Sequence, residues 1–477
     1  MQLRRALFIT FFSSNAANVV QFAVTVILSR LLTPAEVGIY SITAVFVAIT
    51  IVFRDFGVST YLQREKDLTP EKTRSALGLL ITTSWALAAF LYFASDYVAA
   101  YYGQPGIGRA LRVLTISFLI VPFASFVSSI LARELQAGKA AIATGLGTIA
   151  YAVTCITMAY MGFSYMSLAW ANVANLAVTL LVYTQLIPAG TSFRPSFKGW
   201  RAPAKYGGGA VLGNLVERLN YSIPDLVIGK ISGTTDVGLY SRANGLVGLF
   251  QQVIGPMINY SAVPFIANNH HKNNPLTPLI SKAISYLTCL AWPAYIVIGL
   301  FAEPIIKILY GSQWTPAAPI VLLICVQAAV RTGFSLVQPL LLAIGKPYIS
   351  AIASGSTAAA RLIMIYLFGS RDLYDIVVAI CIADCITALI SVWILGSYAN
   401  FGVRDLVIAH WNSFRVSAVV LLLALVLRVM LPETLASYIT VLIVSVACGT
   451  SWLGSVYYFK HGIRDEWHAK FNKINLK

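Results

Sequence analysis

The sequence is poor in charge. Only 11% of its 477 residues are Asp, Glu, Lys or Arg, less than half the share of about 25% in soluble domains. Hydrophobic residues make up 58%, and a soluble core of this size could not bury that much apolar sequence. Nearly uncharged runs of about 20 residues recur along the chain, which is the length that spans a bilayer as a helix. We therefore expect an all-α, polytopic membrane protein.

Residues that carry catalysis or bind metals are also scarce. There are five histidines, and the sequence has no Gly-rich phosphate loop after a strand, no HExxH motif and no Ser/His/Asp set. The six cysteines lie in apolar runs, which is typical of small packing residues in helices. They are Cys155, Cys289, Cys325, Cys381, Cys385 and Cys448. No enzymatic activity, cofactor or metal site is expected.

Acidic residues number 18 against 34 basic ones, for a net charge of +16. The basic residues are spread over many short loops, so the excess indicates membrane topology and lipid headgroups rather than nucleic-acid binding. The loops on one side hold 23 of the 34 and those on the other side hold eight; the remaining three lie within spans. Because Lys and Arg favour cytoplasmic loops, both termini are predicted to be cytoplasmic.

We predict about fourteen spans. Their limits are 6–29, 37–53, 76–100, 108–131, 140–162, 166–188, 206–229, 238–258, 279–302, 317–343, 348–369, 374–398, 411–431 and 436–459.

An internal repeat organises these spans. The stretch from Arg30 to Ser41 returns 200 positions later as Lys230 to Ser241, with a cation, a turn and Val-Gly-Ile/Leu-Tyr-Ser in the same order. The repeat predicts five parts: an N-lobe (1–188), an interfacial cytoplasmic linker (189–205), a C-lobe (206–398), two appended spans (399–460) and a basic cytoplasmic tail (461–477). Six spans per half give parallel repeats, so a substrate site is expected between the halves.

The residues of the turn in each copy of the repeated stretch predict the start of a helix. Thr33 is predicted to be an N-cap, with Pro34 at the first helical position and Glu36 completing a capping box. In the second copy, Gly233 is the predicted cap and Asp236 places negative charge at a helix start.

Polar side chains run along one face of the first span of each half. Span 1 carries Ser14, Asn18, Gln21, Thr25 and Ser29; span 7 carries Asn214, Arg218, Tyr221, Asp225 and Gly229, with Glu217 beside them. Such faces are costly in lipid, so they line a wet cavity or hold the bundle together by hydrogen bonds. Pro224 is predicted to break the helix next to Asp225.

Two further arginines lie deep in apolar spans. Arg331 and Arg361 each belong to a polar stripe with helical spacing. Each could bind an anion, for which the planar guanidinium is well suited, or pair with an intramembrane acid such as Asp384. Arg54, where span 2 meets the cytoplasmic surface, either guards the inner mouth of a cavity or belongs to a solvated loop.

Several segments resemble the Wzx-type polysaccharide flippases, in the superfamily that also holds lipid II flippases and multidrug exporters. They are LSRLLTPAEVGIYS, RDFGVSTYLQREKDLTPE, LARELQAGK, DLVIGKISGTTDVGLYSRANGL and KILYGSQWTPAAPIVLLICVQAAVRTG, covering about residues 1–460 in order. The resemblance implies two six-helix lobes around a basic cavity, with the last two spans forming a lipid-tail groove. Arg30, Arg54, Asp225 and Arg331 match family motif positions. Arg218 and Arg361 are assigned to the site only because they lie on the polar stripes. The second-half echo of Arg54 to Gly57 is poor, so an asymmetric site is expected.

The expected function is that of a flippase for polyprenyl-pyrophosphate-linked oligosaccharide in the bacterial inner membrane, working by alternating access. The predicted substrate-binding residues are Arg30, Arg54, Arg218, Arg331, Arg361, Asn18 and Asn214, and the predicted coupling or charge-pair residues are Glu217 and Asp225. Proton or sodium coupling, membrane lipids, a polysaccharide polymerase and glycosyltransferases are the expected partners. The alternatives are a cation-coupled multidrug exporter, which would favour acids and aromatics in its cavity, and a non-transporting assembly scaffold.

Overall fold

A computed structural model describes residues 2–55, 57–187, 193–432 and 434–466. Residues 189–192 of the predicted linker and 467–477 of the predicted tail lie outside that description. All regular structure in the described part is helical, which confirms the all-α prediction. The chain forms two compact units, Met1–Gly238 and Leu239–Lys477. The predicted division into lobes at residues 189–205 stays a prediction.

Eight helices lie in the first unit. They are α1 (Gln2–Leu31), α2 (Pro34–Asp55), α3 (Val58–Arg64), α4 (Pro70–Tyr102), α5 (Pro105–Arg133), α6 (Ala137–Tyr160), α7 (Met166–Leu186) and α8 (Arg201–Ile231).

Nine more helices follow, the first of which begins in the first unit and continues into the second. They are α9 (Thr234–His271), α10 (Thr277–Leu300), α11 (Ala302–Leu309), α12 (Ala318–Gly333), α13 (Val337–Ala343), α14 (Pro347–Phe368), α15 (Leu373–Ala399), α16 (Val403–Met430) and α17 (Ser437–Tyr458). A 3₁₀ turn, Ser312–Ala317, precedes α12.

Eleven segments of the described chain are long and apolar enough to cross a membrane. The chain is therefore a multi-pass membrane protein, and the count of fourteen spans stays a prediction. Helices α8 and α9, at predicted spans 7 and 8, are not among the eleven, and α1 contributes only the shorter apolar stretch Asn15–Leu31. Helix α8 carries the charged residues Glu217, Arg218, Asp225 and Lys230, which lower its hydropathy.

The helix start at α2 confirms the predicted capping box. The backbone N–H and the hydroxyl of Thr33 donate to Oε2 of Glu36 at 2.7 and 2.9 Å, and the N–H of Glu36 reaches the Thr33 hydroxyl at 3.4 Å. Pro34 is the first helical residue, where its missing N–H costs no helical bond. The hydroxyl of Ser164 donates to the other oxygen of Glu36, so the same carboxylate ties α2 to the turn before α7.

The linker between the predicted lobes docks on α4 through its backbone. The N–H of Ser196 donates to the carbonyl of Arg74 at 2.9 Å, and the hydroxyl of Ser75 donates to the carbonyl of Lys198 at 2.6 Å. Gly78 makes the close approach feasible, because a Cβ there would stand 2.1 Å from the carbonyl oxygen of Ser196. Phe193 packs into the core of α4 and α5. This part of the linker is thus part of the folded first unit.

The predicted span 317–343 falls within one apolar segment, Ser312–Ala343, in which the chain turns at residues 334–336 between α12 and α13. The predicted break at Pro224 is wrong, since α8 runs through it from Arg201 to Ile231. Proline removes one N–H from a helix without ending it when surrounding contacts hold both sides.

The two copies of the repeated motif touch each other through glycine, inside the first unit. A Cβ on Gly38 would lie 1.7 Å from the carbonyl oxygen of Thr234, and a Cβ on Gly238 would lie 1.9 Å from that of Pro34. Pro34 and Gly38 correspond to Thr234 and Gly238 in the repeat, which has an offset of 200 residues. Each contact therefore has an equivalent in which the two copies change places. The first turns of α2 and α9 therefore cross with their backbones in contact, which only glycine permits at both points.

Candidate functional site

The predicted residues of the first two spans lie at different depths in the first unit. Asn18 is half-buried along α1, and Arg30 is exposed in the last turn of that helix. Arg54, in the last turn of α2, is 9% exposed, and its carbonyl accepts a hydrogen bond from the Thr83 hydroxyl at 3.2 Å. Arg54 is thus a buried residue at the end of α2, tied to α4 through its backbone, rather than part of a solvated loop.

The short helix α3 follows directly and is held by a basic side chain that sequence reasoning passed over. Gly57 adopts φ +70°, which allows the chain to turn out of α2. The guanidinium of Arg133 donates to the carbonyl oxygens of Leu62 and Glu65 at 3.0 and 2.6 Å. A cation at the end of a helix satisfies carbonyls that have no helical partner. Helix α3 is therefore fixed to α5.

Helix α8 carries four predicted site residues. Asn214 and Arg218 are exposed and Glu217 is half-buried. One carboxylate oxygen of Asp225 is shielded from solvent and has no hydrogen-bond partner among the described residues. An unsatisfied buried carboxylate oxygen is costly, so it is expected where a proton, a cation or a substrate group completes the contact.

The end of α8 that follows Asp225 is fastened to α4. The hydroxyl of Tyr102 donates to the carbonyl of Leu226 at 3.2 Å. The ammonium of Lys230 donates to the carbonyl of Tyr101 at 2.7 Å and lies 4.1 Å from the centre of the Tyr101 ring. These contacts hold Asp225 at a defined place along α2 and α4. Whether the α1 and α8 stripes share one cavity stays a prediction.

In the second unit, Arg331 is exposed in the last turn of α12. Two neighbouring helices hold that turn. The indole of Trp292 on α10 donates to the carbonyl of Ala329 at 3.0 Å, and the amide of Gln251 on α9 donates to the hydroxyl of Thr332 at 3.2 Å. The backbone that carries Arg331 is therefore fixed on both sides, which is what a binding side chain needs.

Arg361 is in a different environment, because it is 2% exposed and forms a buried ion pair. Its Nε and Nη2 atoms donate to the two oxygens of Asp384 on α15, both at 2.8 Å. The amide of Gln327 on α12 donates to the same carboxylate at 2.7 Å. Of the two interpretations left open by the sequence, the structure has the pairing with Asp384. A role for Arg361 in substrate binding stays a prediction.

The cluster of Arg361, Asp384 and Gln327 joins α14, α15 and α12. Gln327 lies one helical turn before Arg331, so the amide that binds the Asp384 carboxylate and the exposed arginine share one short helix. The signal for this cluster in the sequence was the presence of one basic and one acidic residue, Arg361 and Asp384, in adjacent apolar spans.

The cysteines are free, and five of the six are buried; Cys385 is exposed. Across the described ranges, no group of three or more His, Cys, Asp or Glu side chains could hold a metal ion.

The fold has known counterparts. A lipid II flippase, MurJ, in an inward closed conformation, superposes with a TM-score of 0.74 over 96% of this chain and 99% of that chain, at 16% identity. An inward-facing multidrug transporter of the MATE family superposes with a TM-score of 0.61 over 80% of this chain and 95% of that chain, also at 16% identity. The chain therefore has the helical membrane-transporter fold that these two proteins share.

The particular family within this class follows from the sequence. Residues 27–319 match the family described as Polysaccharide biosynthesis protein, and the chain belongs to that family. The succinoglycan biosynthesis transport protein ExoT of Rhizobium meliloti (strain 1021) is 23% identical over 451 residues, which is 92% of this chain and 88% of that protein. The resemblance noted in the sequence is thereby confirmed.

Proposed function

We propose that this protein is a flippase that moves polyprenyl-pyrophosphate-linked oligosaccharide repeat units across the bacterial inner membrane, for exopolysaccharide or lipopolysaccharide biosynthesis. The observation that carries the proposal is the match of residues 27–319 to the polysaccharide biosynthesis family. The shared fold with a lipid II flippase and the similarity to a succinoglycan transport protein support it.

The chemistry of such a substrate suits the basic residues on the membrane helices. A pyrophosphate is anionic and its glycan cannot cross hydrocarbon, so the protein supplies a wet and positive path while the polyprenyl tail stays in lipid. Arg218 on α8 and Arg331 on α12 are exposed, and Arg30 is exposed at the end of α1. Arginine binds phosphate oxygens in pairs and stays charged when it is partly desolvated.

The test combines export in cells with binding in vitro. Each variant is expressed in a strain from which the native gene is deleted. We expect Arg30→Ala, Arg218→Ala and Arg331→Ala each to export less glycan than the wild-type protein does at the same protein level. Purified variants in nanodiscs should bind undecaprenyl pyrophosphate roughly ten- to hundredfold more weakly, because a charge-assisted hydrogen bond contributes about 1.5–3 kcal/mol. Lysine should restore binding only in part, since an ammonium cannot form the paired contact.

Arg404→Ala is the matched control, because Arg404 is an exposed arginine at the start of α16, outside the polar stripes. Normal export by all three alanine variants would refute the basic path. Export of an organic cation such as ethidium by the wild type, without glycan export, would favour the multidrug exporter instead.

Asp225 is our proposed coupling residue, for a proton or for sodium. Its shielded carboxylate oxygen has no hydrogen-bond partner among the described residues. Asp225→Asn keeps the shape and removes the charge, so we expect transport in proteoliposomes to lose its dependence on an imposed proton or sodium gradient. Unchanged gradient dependence in this variant would rule out the assignment.

A further inference from the structure

The chain that leaves α17 does not run directly into solvent. His461, three residues after the helix ends, is 0% exposed and lies against α10 and α16. The following residue is held as well, because the hydroxyl of Tyr286 on α10 donates to the carbonyl of Gly462 at 3.0 Å. We call residues 460–466 the exit segment.

The two ring nitrogens of His461 have distinct partners. The backbone N–H of Ile463 donates to Nδ1 at 3.3 Å, so that nitrogen carries no proton in the docked segment. The proton of the neutral ring is therefore on Nε2, which lies 3.0 Å from the hydroxyl oxygen of Ser285 and 3.4 Å from that of Ser413. A neutral imidazole offers one donor and one acceptor, and this site uses both.

The hydrogen bonds continue into the bundle. The hydroxyl of Ser413 donates to the carbonyl of Ser285 at 2.8 Å, and the hydroxyl of Thr288 donates to that of Ser413 at 3.0 Å. Ser413 and Thr288 are both fully buried. The exit segment is thus attached to α10 and α16 by a buried polar chain that ends on His461.

The exit segment also forms one wall of a cavity of about 570 Å³. The other walls come from α10 and α16, and the lining includes Lys282, Tyr286 and Ile408 together with Gly462 and Glu466. Undocking of the segment would remove that wall of the cavity.

We propose that His461 is a proton-sensitive latch: its neutral ring fastens the exit segment to α10 and α16, and its protonation releases the segment. A second proton would have to bind Nδ1, which accepts a hydrogen bond from the N–H of Ile463. The protonated Nδ1 could no longer accept that bond, and two donors would face each other. The docked geometry therefore excludes the charged ring, whereas the released segment can hydrate it.

Other charged groups surround the latch. Lys282 on α10 pairs with Glu466 at 2.7 Å, and Arg464 pairs with Asp465 at 3.1 Å within the segment. On α16, the guanidinium of Arg415 lies 4.7 Å from the centre of the Phe459 ring. Tyr286 of α10 faces the imidazole of His461, with ring centres 6.0 Å apart. Lys460 precedes His461 in the chain. Both acids, Asp465 and Glu466, are thus paired with cations.

The direction of the pH response follows from burial. Removal from water lowers the pKa of His461 below its ordinary value of 6.5. A group whose pKa is lowered by docking stabilises the docked form above the ordinary pKa, and this contribution is lost as the pH falls towards the lowered pKa. Between the two pKa values, the ratio of docked to released segments falls up to about tenfold per pH unit.

Pulsed electron resonance on the full-length protein in nanodiscs tests the latch. Spin labels at Glu466→Cys and Val407→Cys, in a Cys385→Ser background, measure the distance between the segment and α16. We expect a narrow distance distribution at about pH 7.5 and a broad, longer one at about pH 5. The label at position 466 removes the pairing with Lys282, so that carboxylate cannot cause the change.

Two variants distinguish the protonation of His461 from the protonation of neighbouring groups as the cause of the pH response. His461→Asn retains an oxygen acceptor and cannot gain a proton, so its distribution should stay narrow at both pH values. Asp465→Asn keeps His461 and should respond as the wild type does. A wild-type distribution that does not change with pH, or a pH response that survives in His461→Asn or disappears in Asp465→Asn, would overturn the proposal.

Discussion

A buried charge in a membrane helix needs a partner, and Arg361 shows how this protein supplies one. A lone arginine at the centre of such a helix costs at least about 2.5–3.5 kcal/mol on insertion scales. The paired contact with Asp384 and the amide of Gln327 offset that cost and join three helices. The main role of the pair is therefore structural, because it joins α14 and α15 to α12, the helix that carries Arg331.

Removal of one member should be more harmful than removal of both. We expect Arg361→Met or Asp384→Leu alone to lower the free energy of unfolding by about 3–5 kcal/mol, since each leaves an uncompensated buried charge. The double variant should lose less than either single variant, because no unpaired charge remains. Thermal stability of the purified single and double variants, arranged as a double-mutant cycle, measures the difference.

Arg404→Met serves as the control, because Arg404 is exposed. If the losses of the two single variants simply add in the double variant, the pair contributes nothing as a pair.

At the scale of helices, the repeated motif acts through contact between its two copies. Gly38 on α2 and Gly238 on α9 each approach the other helix's backbone so closely that a Cβ would overlap a carbonyl oxygen. Such reciprocal contact explains the glycine at the same position in both copies of the motif.

Alanine at either glycine should disturb this crossing. Gly38→Ala and Gly238→Ala each insert a methyl group into backbone, so we expect a loss of about 1–3 kcal/mol in stability. Gly245→Ala, on the same helix α9 with nothing within 4 Å of its Cβ position, should be neutral or gain about 0.5–1 kcal/mol from helix propensity. Fluorescence-detected thermal unfolding compares the three, and equal behaviour would contradict the close crossing.

At the scale of the whole molecule, the uneven distribution of basic residues leads to a prediction about topology. The loops grouped with the two termini carry 23 of the 34 basic residues, so we expect both termini to be cytoplasmic. In intact cells, an impermeant thiol reagent should label Ser312→Cys, between α11 and α12, and should not label Lys470→Cys in the tail. Lysed cells provide the control, in which both positions should be labelled.

Labelling of the tail in intact cells would reverse the orientation. It would also place the exit segment and its cavity on the outer side, without changing the chemistry of His461.

Helical class, membrane location and family could all be inferred from the sequence. A backbone in lipid has to satisfy its hydrogen bonds within each helix, so long apolar runs permit few other structures. The capping box at Thr33 was equally predictable, because its partners lie three residues apart. Local spacing and composition carry all of this information.

The partners of the polar residues were decided by tertiary structure. A helical stripe identifies the face on which Arg361 lies, but its acid is 23 residues away on another helix. The hydroxyl that meets His461 is 176 residues distant in the chain, and the two glycines that touch are 200 apart. Periodicity within one helix contains no information about which helix packs against it, because that choice depends on side-chain packing across the whole bundle.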